Sequence, residues 1–215
     1  MKNYILILLF IFIGCKNDSS KTKTIEKQIP MKNLFEDVHS LDVNIDSSII
    51  KWIGKKIYKS HDGILKFKSG NIYIEDDQIV GGELIVDMNS LVCTDIKKEG
   101  PNQGLVNHLK NEDFFDVPKY PLSKIKILSS EKKSNNEYYF NAELTIKGIT
   151  NIINFNGLIN KNTNSYHSNI KLSFDRTLWD IKYGSGKFFE ELGDRAILDD
   201  IELDINLVAI PNSQE

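Results

Sequence analysis

The segment IELDINLVA (residues 201–209) alternates without a break: Ile201, Leu203, Ile205, Leu207 and Ala209 fall on one face, Glu202, Asp204 and Asn206 on the other. A strict period of two is the signature of a strand with one buried face. Three more segments share it. YFNAELTIKG (139–148) sets Phe140, Ala142, Leu144 and Ile146 against Asn141, Glu143, Thr145 and Lys147. ELIVDMN (83–89) sets Leu84, Val86 and Met88 against Ile85 and Asp87. NIKLSFDR (169–176) sets Ile170, Leu172 and Phe174 against Lys171, Ser173 and Asp175. Weaker strand patterns cover 49–58, 64–74, 122–129 and 151–159.

Short polar stretches separate these runs. EDDQ (75–78), KKSNNE (132–137) and NKNTNS (160–165) have hairpin length, and KGIT (147–150) turns through Gly148. About eight strands therefore follow one another with mostly short connections, each with one apolar and one solvated face, which implies antiparallel pairing. Either a closed up-and-down barrel or a two-sheet sandwich satisfies the pattern. No βαβ spacing and no internal repeat is visible. The chain has 215 residues, 40% of them hydrophobic and 27% charged, with a formal net charge of −3. That is enough apolar material for a core, and no basic stripe interleaved with aromatics points to nucleic acid.

Two segments depart from strand periodicity. GPNQGLVNHLKN (100–111) places Leu105, Val106 and Leu109 on a narrow stripe at helical spacing, with Pro101 near its start, and reads as a short amphipathic helix. Phe114 and Phe115 follow it directly, so helix and Phe pair are expected to cap one end of the barrel and to border any ligand site there. FDRTLWDIKYGSGKFFEELGD (174–194) is a long connection with three glycines and five aromatics: Phe174, Trp179, Tyr183, Phe188 and Phe189. Its composition suggests a packed loop at a barrel mouth, where function tends to gather.

The N-terminus carries a different signal. In MKNYILILLFIFIGC the apolar run from Tyr4 to Ile13 is too short for a permanent span and has the length of a signal-peptide core. Gly14–Cys15 at its end resembles a bacterial lipobox. By that resemblance residues 1–14 are a lipoprotein signal peptide, Cys15 is the lipidated first residue of the mature chain, and Lys16 in place of Asp directs the protein to the outer membrane, facing the periplasm or the cell surface. Residues 15–38 are polar and Lys-rich and read as a tether, leaving 39–212 as the barrel domain. Cys93, in the apolar run SLVCTDI, is expected as a small core residue.

Four pieces in order resemble the YceI-like family, periplasmic lipocalin-like proteins implicated in polyisoprenoid binding. They are residues 50–91, HLKNEDFFDVPKYPLSKI (108–125), AELTIKGITNIINFNG (142–157) and DRTLWDIKYGSGKFFEELGDRAILDDIELDINLVA (175–209). The resemblance implies an all-β fold: an eight-stranded antiparallel lipocalin-like barrel, with the short amphipathic helix capping an end and a hydrophobic interior for an amphiphile. One departure is Asp180, where many members have Gly after the Trp; the loop geometry there is what the resemblance does not fix. Candidate pocket residues are Leu109, Phe114, Phe115, Phe140, Leu144, Phe174, Trp179, Tyr183, Phe188 and Phe189.

No GxSxG, HExxH, phosphate-loop or EF-hand pattern is present, so no catalytic residue and no enzymatic activity is expected. His61 and His108, with Asp62 or Asp113, are a combination that could meet as a metal site. Four scattered histidines are more simply read as hydrogen-bonding and surface groups, and no metal is expected. Two functions remain. One is a lipid-anchored carrier or store for an isoprenoid, a quinone or a fatty-acid-like lipid, with no cofactor beyond that ligand. The other is an envelope module with a solid core that acts through protein contacts. The oligomeric state is left open.

Overall fold

The computed structural model describes residues 38–212. The signal segment, Cys15 and the tether up to residue 37 lie outside the described residues. The elements, in chain order, are β1 (His39–Val43), β2 (Ile49–Lys56), β3 (Ser60–Glu75), β4 (Gln78–Cys93), α1 (Glu99–Lys110), β5 (Leu122–Lys132), β6 (Glu137–Ile146), β7 (Ile149–Asn162), β8 (Ser165–Asp175) and β9 (Ile197–Pro211). From β2 to β9 each strand pairs antiparallel with the next, and β9 returns to pair with β2. The pairing of β9 with β2 closes the sheet, which decides for the barrel over the sandwich and leaves no long free edge.

The ninth strand does not widen the ring. β1 and β2 both pair with β3 and with β9, at different levels. They form one interrupted stave, broken at residues 44–48. The break is stitched to β9 by buried Ser48, whose hydroxyl accepts from the Val208 N–H at 3.0 Å, while the Asn44 N–H donates to the Val208 carbonyl at 2.8 Å. Five residues give too few alternations to announce a strand, which is why β1 does not stand out in the sequence.

The sequence pattern agrees with burial wherever a strand is regular. On β6, Phe140, Ala142, Leu144 and Ile146 are buried. Asp76–Asp77 and Lys147–Gly148 take positive φ at both central residues, the conformation of two-residue hairpin turns whose twist matches the flanking strands. β3 is weaker in the sequence because it carries a bulge. Its buried residues run Leu65, Phe67 and then Ile72, Ile74, and the register against β4 shifts between Phe67 and Ser69. A bulge inserts one residue and reverses the inward phase.

Helix α1 follows β4 and lies against it. Val106 is buried, and Leu105 and Leu109 pack on the core from its edge. The Asn102 amide donates to the Cys93 and Ile96 carbonyls, at 3.0 and 2.8 Å, and the Lys110 ammonium to the Asn89 carbonyl at 2.7 Å. These bonds fix the helix over one barrel end. The chain then folds back, with the Val117 N–H bonded to the Lys110 carbonyl at 2.9 Å, and buries Phe114 and Val117.

The long β8–β9 connection is tied down from inside. Arg176 is 1% exposed. Its guanidinium donates to the carbonyls of Ile181 at 2.7 Å, Ile197 at 3.2 Å and Leu198 at 3.2 Å, and lies 3.5 Å from an Asp199 carboxylate oxygen. Burial lowers the pKa of Arg176, opposed by Asp199 and Asp175. Trp179 is fully buried, donates to the Leu144 carbonyl at 3.0 Å and meets Phe174 edge-on. Asp180, the departure noted above, has φ 58° and ψ 29°. This is the left-handed conformation that glycine adopts without strain and that Asp tolerates better than most residues.

Candidate hydrophobic site

The barrel interior holds two apolar cavities. The larger, about 140 Å³, lies at the α1 end and is almost wholly lined by hydrocarbon. Its walls include Trp52, Met88, Ile146 and Leu203, and α1 with the segment after it contributes Leu105, Leu109, Phe114 and Phe115. The smaller, about 40 Å³, lies at the β1 end among Leu41, Ile74, Phe140, Phe155, Tyr166 and Leu207. Ile125 and Ile205 border both, so these two side chains stand where the cavities meet.

Exposed Lys56 and Lys59 belong to the lining of the larger cavity, which therefore reaches the surface beside the β2–β3 hairpin. Lys55 and Lys124 also line it, paired with Glu202 and Glu83. The rim thus carries four lysines, two of them balanced by carboxylates, over an apolar interior. Trp52 is shaped for this wall. A Cβ on its cross-strand partner Gly63 would come within 1.8 Å of the Val92 carbonyl oxygen and 2.6 Å of the indole, so only glycine fits beneath the ring. The Trp52 indole nitrogen is buried and has no hydrogen-bond partner among the described residues, a donor left uncommitted beside an apolar space.

Of the residues proposed from the sequence, Leu109, Phe114, Phe115, Leu144 and Phe174 line the larger cavity and Phe140 lines the smaller one. Trp179 stands behind the wall, in contact with Phe174 rather than with the space. Tyr183 is half exposed, its ring against those of His108 and Phe114 at 4.7 and 5.4 Å between centroids. Phe188 and Phe189 are exposed and border neither cavity. The long connection reaches the cavity through Arg176 and Ile181 instead. A guanidinium that fixes three carbonyls is a tertiary feature that no local spacing announces. The histidines do not combine as the sequence allowed: His61 bonds Asp95 at 2.8 Å and His108 bonds Asp113 at 2.9 Å.

A family model described as YceI-like domain matches residues 37–209. Among solved structures, the chain is similar to BcnA of Burkholderia cenocepacia, at 17% identity and a TM-score of 0.64, over 77% of this chain and 98% of that one. It is also similar to a polyisoprenoid binding domain from Saccharophagus degradans implicated in plant cell wall breakdown, at 12% identity and 0.59, over 81% and 99%. A third is the YceI protein of Campylobacter jejuni, at 20% identity and 0.53, over 68% and 84%. At these identities the structural likeness establishes the fold. No curated protein matches the sequence.

Proposed function

The chain belongs to the YceI-like family, and on that premise we propose that it binds one long apolar chain, an isoprenoid or a related amphiphile, in the α1 half of its barrel. The observation that carries this is the apolar cavity open to the surface beneath α1, with lysines at its rim. The tail is held by burial alone, at about 0.8 kcal/mol per methylene-sized group, and the polar head stays beside Lys56 and Lys59. One structural neighbour's description as a polyisoprenoid binding domain supports the same class.

Size sets a condition on this reading. A cavity of about 150 Å³ accommodates a group the size of benzene, whereas pockets for whole ligands span about 300–1,000 Å³. The larger cavity, at about 140 Å³, admits roughly one such group, so a longer chain requires α1 and the Phe115 segment to lift, or Ile125 and Ile205 to change rotamer. The protein is thereby a carrier or store that opens to load, without turnover of its ligand and without a further cofactor. Diacylation of Cys15 would hold it at the envelope membrane, and palmitate label on the wild type but not on Cys15→Ala tests that anchor.

Titration with a fluorescent prenyl or fatty-acid probe tests the binding. Phe115→Ala is expected to weaken probe binding about tenfold or more, and Phe189→Ala, away from both cavities, to leave it unchanged. A wild-type protein that binds neither probe favours the solid-core envelope module instead.

A further inference from the structure

We propose that His61, Cys93 and Asp95 form a binding site for a divalent transition metal, with zinc the best match to the donor set. β3 pairs with β4 so that Gly63 lies opposite Cys93. Two residues beyond that pair, His61 on β3 meets Asp95, which lies just past the end of β4, with Cys93 beside them. The Asp95 carboxylate already joins the three groups. One oxygen lies 2.8 Å from His61 Nδ1, and the other accepts from the Cys93 thiol at 3.1 Å and from the Asp62 N–H at 3.1 Å. One donor atom from each residue lies within 4.8 Å of the others.

A tetrahedral zinc ion with bonds of about 2.0–2.3 Å needs donors roughly 3.3–3.8 Å apart. The two short contacts would have to open by about 0.5 Å and the widest separation, which is within 4.8 Å, to close by up to about 1 Å, through rotation of the three side chains. Thiolate, imidazole and carboxylate together suit zinc better than magnesium or calcium, which prefer oxygen alone. Three protein ligands leave a fourth position for water or for an oxygen of a bound molecule. The His61 ring also lines the larger cavity, which places that position near the mouth.

The surroundings hold the three groups in place. The Asn102 amide grips the Cys93 and Ile96 carbonyls on either side of Asp95. Thr94 bonds Asp62 through both its N–H and its hydroxyl, at 2.8 and 2.6 Å. The side chains of His61 and Asp95 are 18% and 28% exposed, so an ion has a route to a thiol that is itself buried. Ligation by a cysteine requires the thiolate, so on binding the S–H bond breaks, a metal–sulfur bond forms, and one proton leaves per ion bound.

The test is titration of the full chain, purified without an affinity tag, with Zn²⁺ and with Co²⁺. The expected result is one ion per chain, release of one proton, and a thiolate-to-cobalt charge-transfer band in the near ultraviolet. Cys93→Ser should abolish the band, Asp95→Asn should weaken Zn²⁺ binding about tenfold or more, and His167→Ala, on the exposed face of β8, should change neither. Circular dichroism of each variant separates loss of ligation from loss of fold. A folded wild type with no cobalt–thiolate band, or a Cys93→Ser protein that binds Zn²⁺ as tightly as wild type, overturns the site. Either outcome would leave the trio as a hydrogen-bonded tie between β3 and β4. The metal titration and the lipid-probe titration are separate measurements, and neither result decides the other.

Discussion

At the β1 end of the barrel, Tyr138, Phe140 and Phe155 stack in series, with ring centroids 6.2 and 5.1 Å apart, and leave a space of about 40 Å³. At the α1 end the large rings do not form such a series: Trp52 packs over Gly63, and Phe174 meets Trp179 edge-on. There a space of about 140 Å³ remains, closed by a helix and a Phe pair instead of by strands. Both halves use the same alternation of apolar and polar residues. Alternation decides which residues face inward; the size and packing of those residues decide whether the inside is full.

The contrast breaks most sharply if the two ends respond alike to truncation. Phe140→Ala, in the stacked series, is expected to cost about 3–5 kcal/mol. Phe115→Ala, half-buried at the mouth, is expected to cost less than about 2 kcal/mol while removing most probe binding. Denaturant melts beside probe titrations on the two proteins measure both, and equal stability losses would show that the α1 end is packed as tightly as the other.

Arg176 comes next. Arg176→Met would leave the carbonyls of Ile181, Ile197 and Leu198 without their buried donor, at an expected cost of about 3 kcal/mol. Hydrogen exchange should then rise across residues 181–198 and stay low on β6. Uniform acceleration would mean that the connection and the barrel open as one unit.

Ile125→Ala sharpens the comparison, because it removes one of the two side chains shared by the cavities. It is expected to cost about 2–3 kcal/mol and to raise affinity for long prenyl probes relative to short ones. An unchanged chain-length preference would separate the two spaces functionally. The smallest effect belongs to Asp180→Gly, which relieves a left-handed backbone and should stabilise the fold by up to about 1 kcal/mol in thermal melts.

Much of this was legible in the chain. β6 and β9 are readable because nothing interrupts their period of two. The helix was readable from Leu105, Val106 and Leu109, and the Phe114–Phe115 pair following it did come to lie at the cavity it closes. What escaped depends on the register between strands. β3 loses its period at the Phe67–Ser69 bulge, and β1 is too short to show one. Exposed Phe188 and Phe189 looked like pocket residues because composition cannot tell an aromatic on a loop's outer side from one on its inner side. His61 finds Asp95, 34 positions away, only once Gly63 is set opposite Cys93. A pattern within one segment reports what that segment buries; a contact between segments requires their pairing.

The α1 half of the barrel is proposed as a lipid site and the β1 half as core. Mass spectrometry of the organic extract from protein purified without detergent tests it most directly. The account predicts one prenyl or related long-chain lipid in near-stoichiometric amount, retained by Phe189→Ala and lost from Phe115→Ala. A wild-type protein that yields no lipid and binds no added prenyl or fatty-acid probe would contradict it.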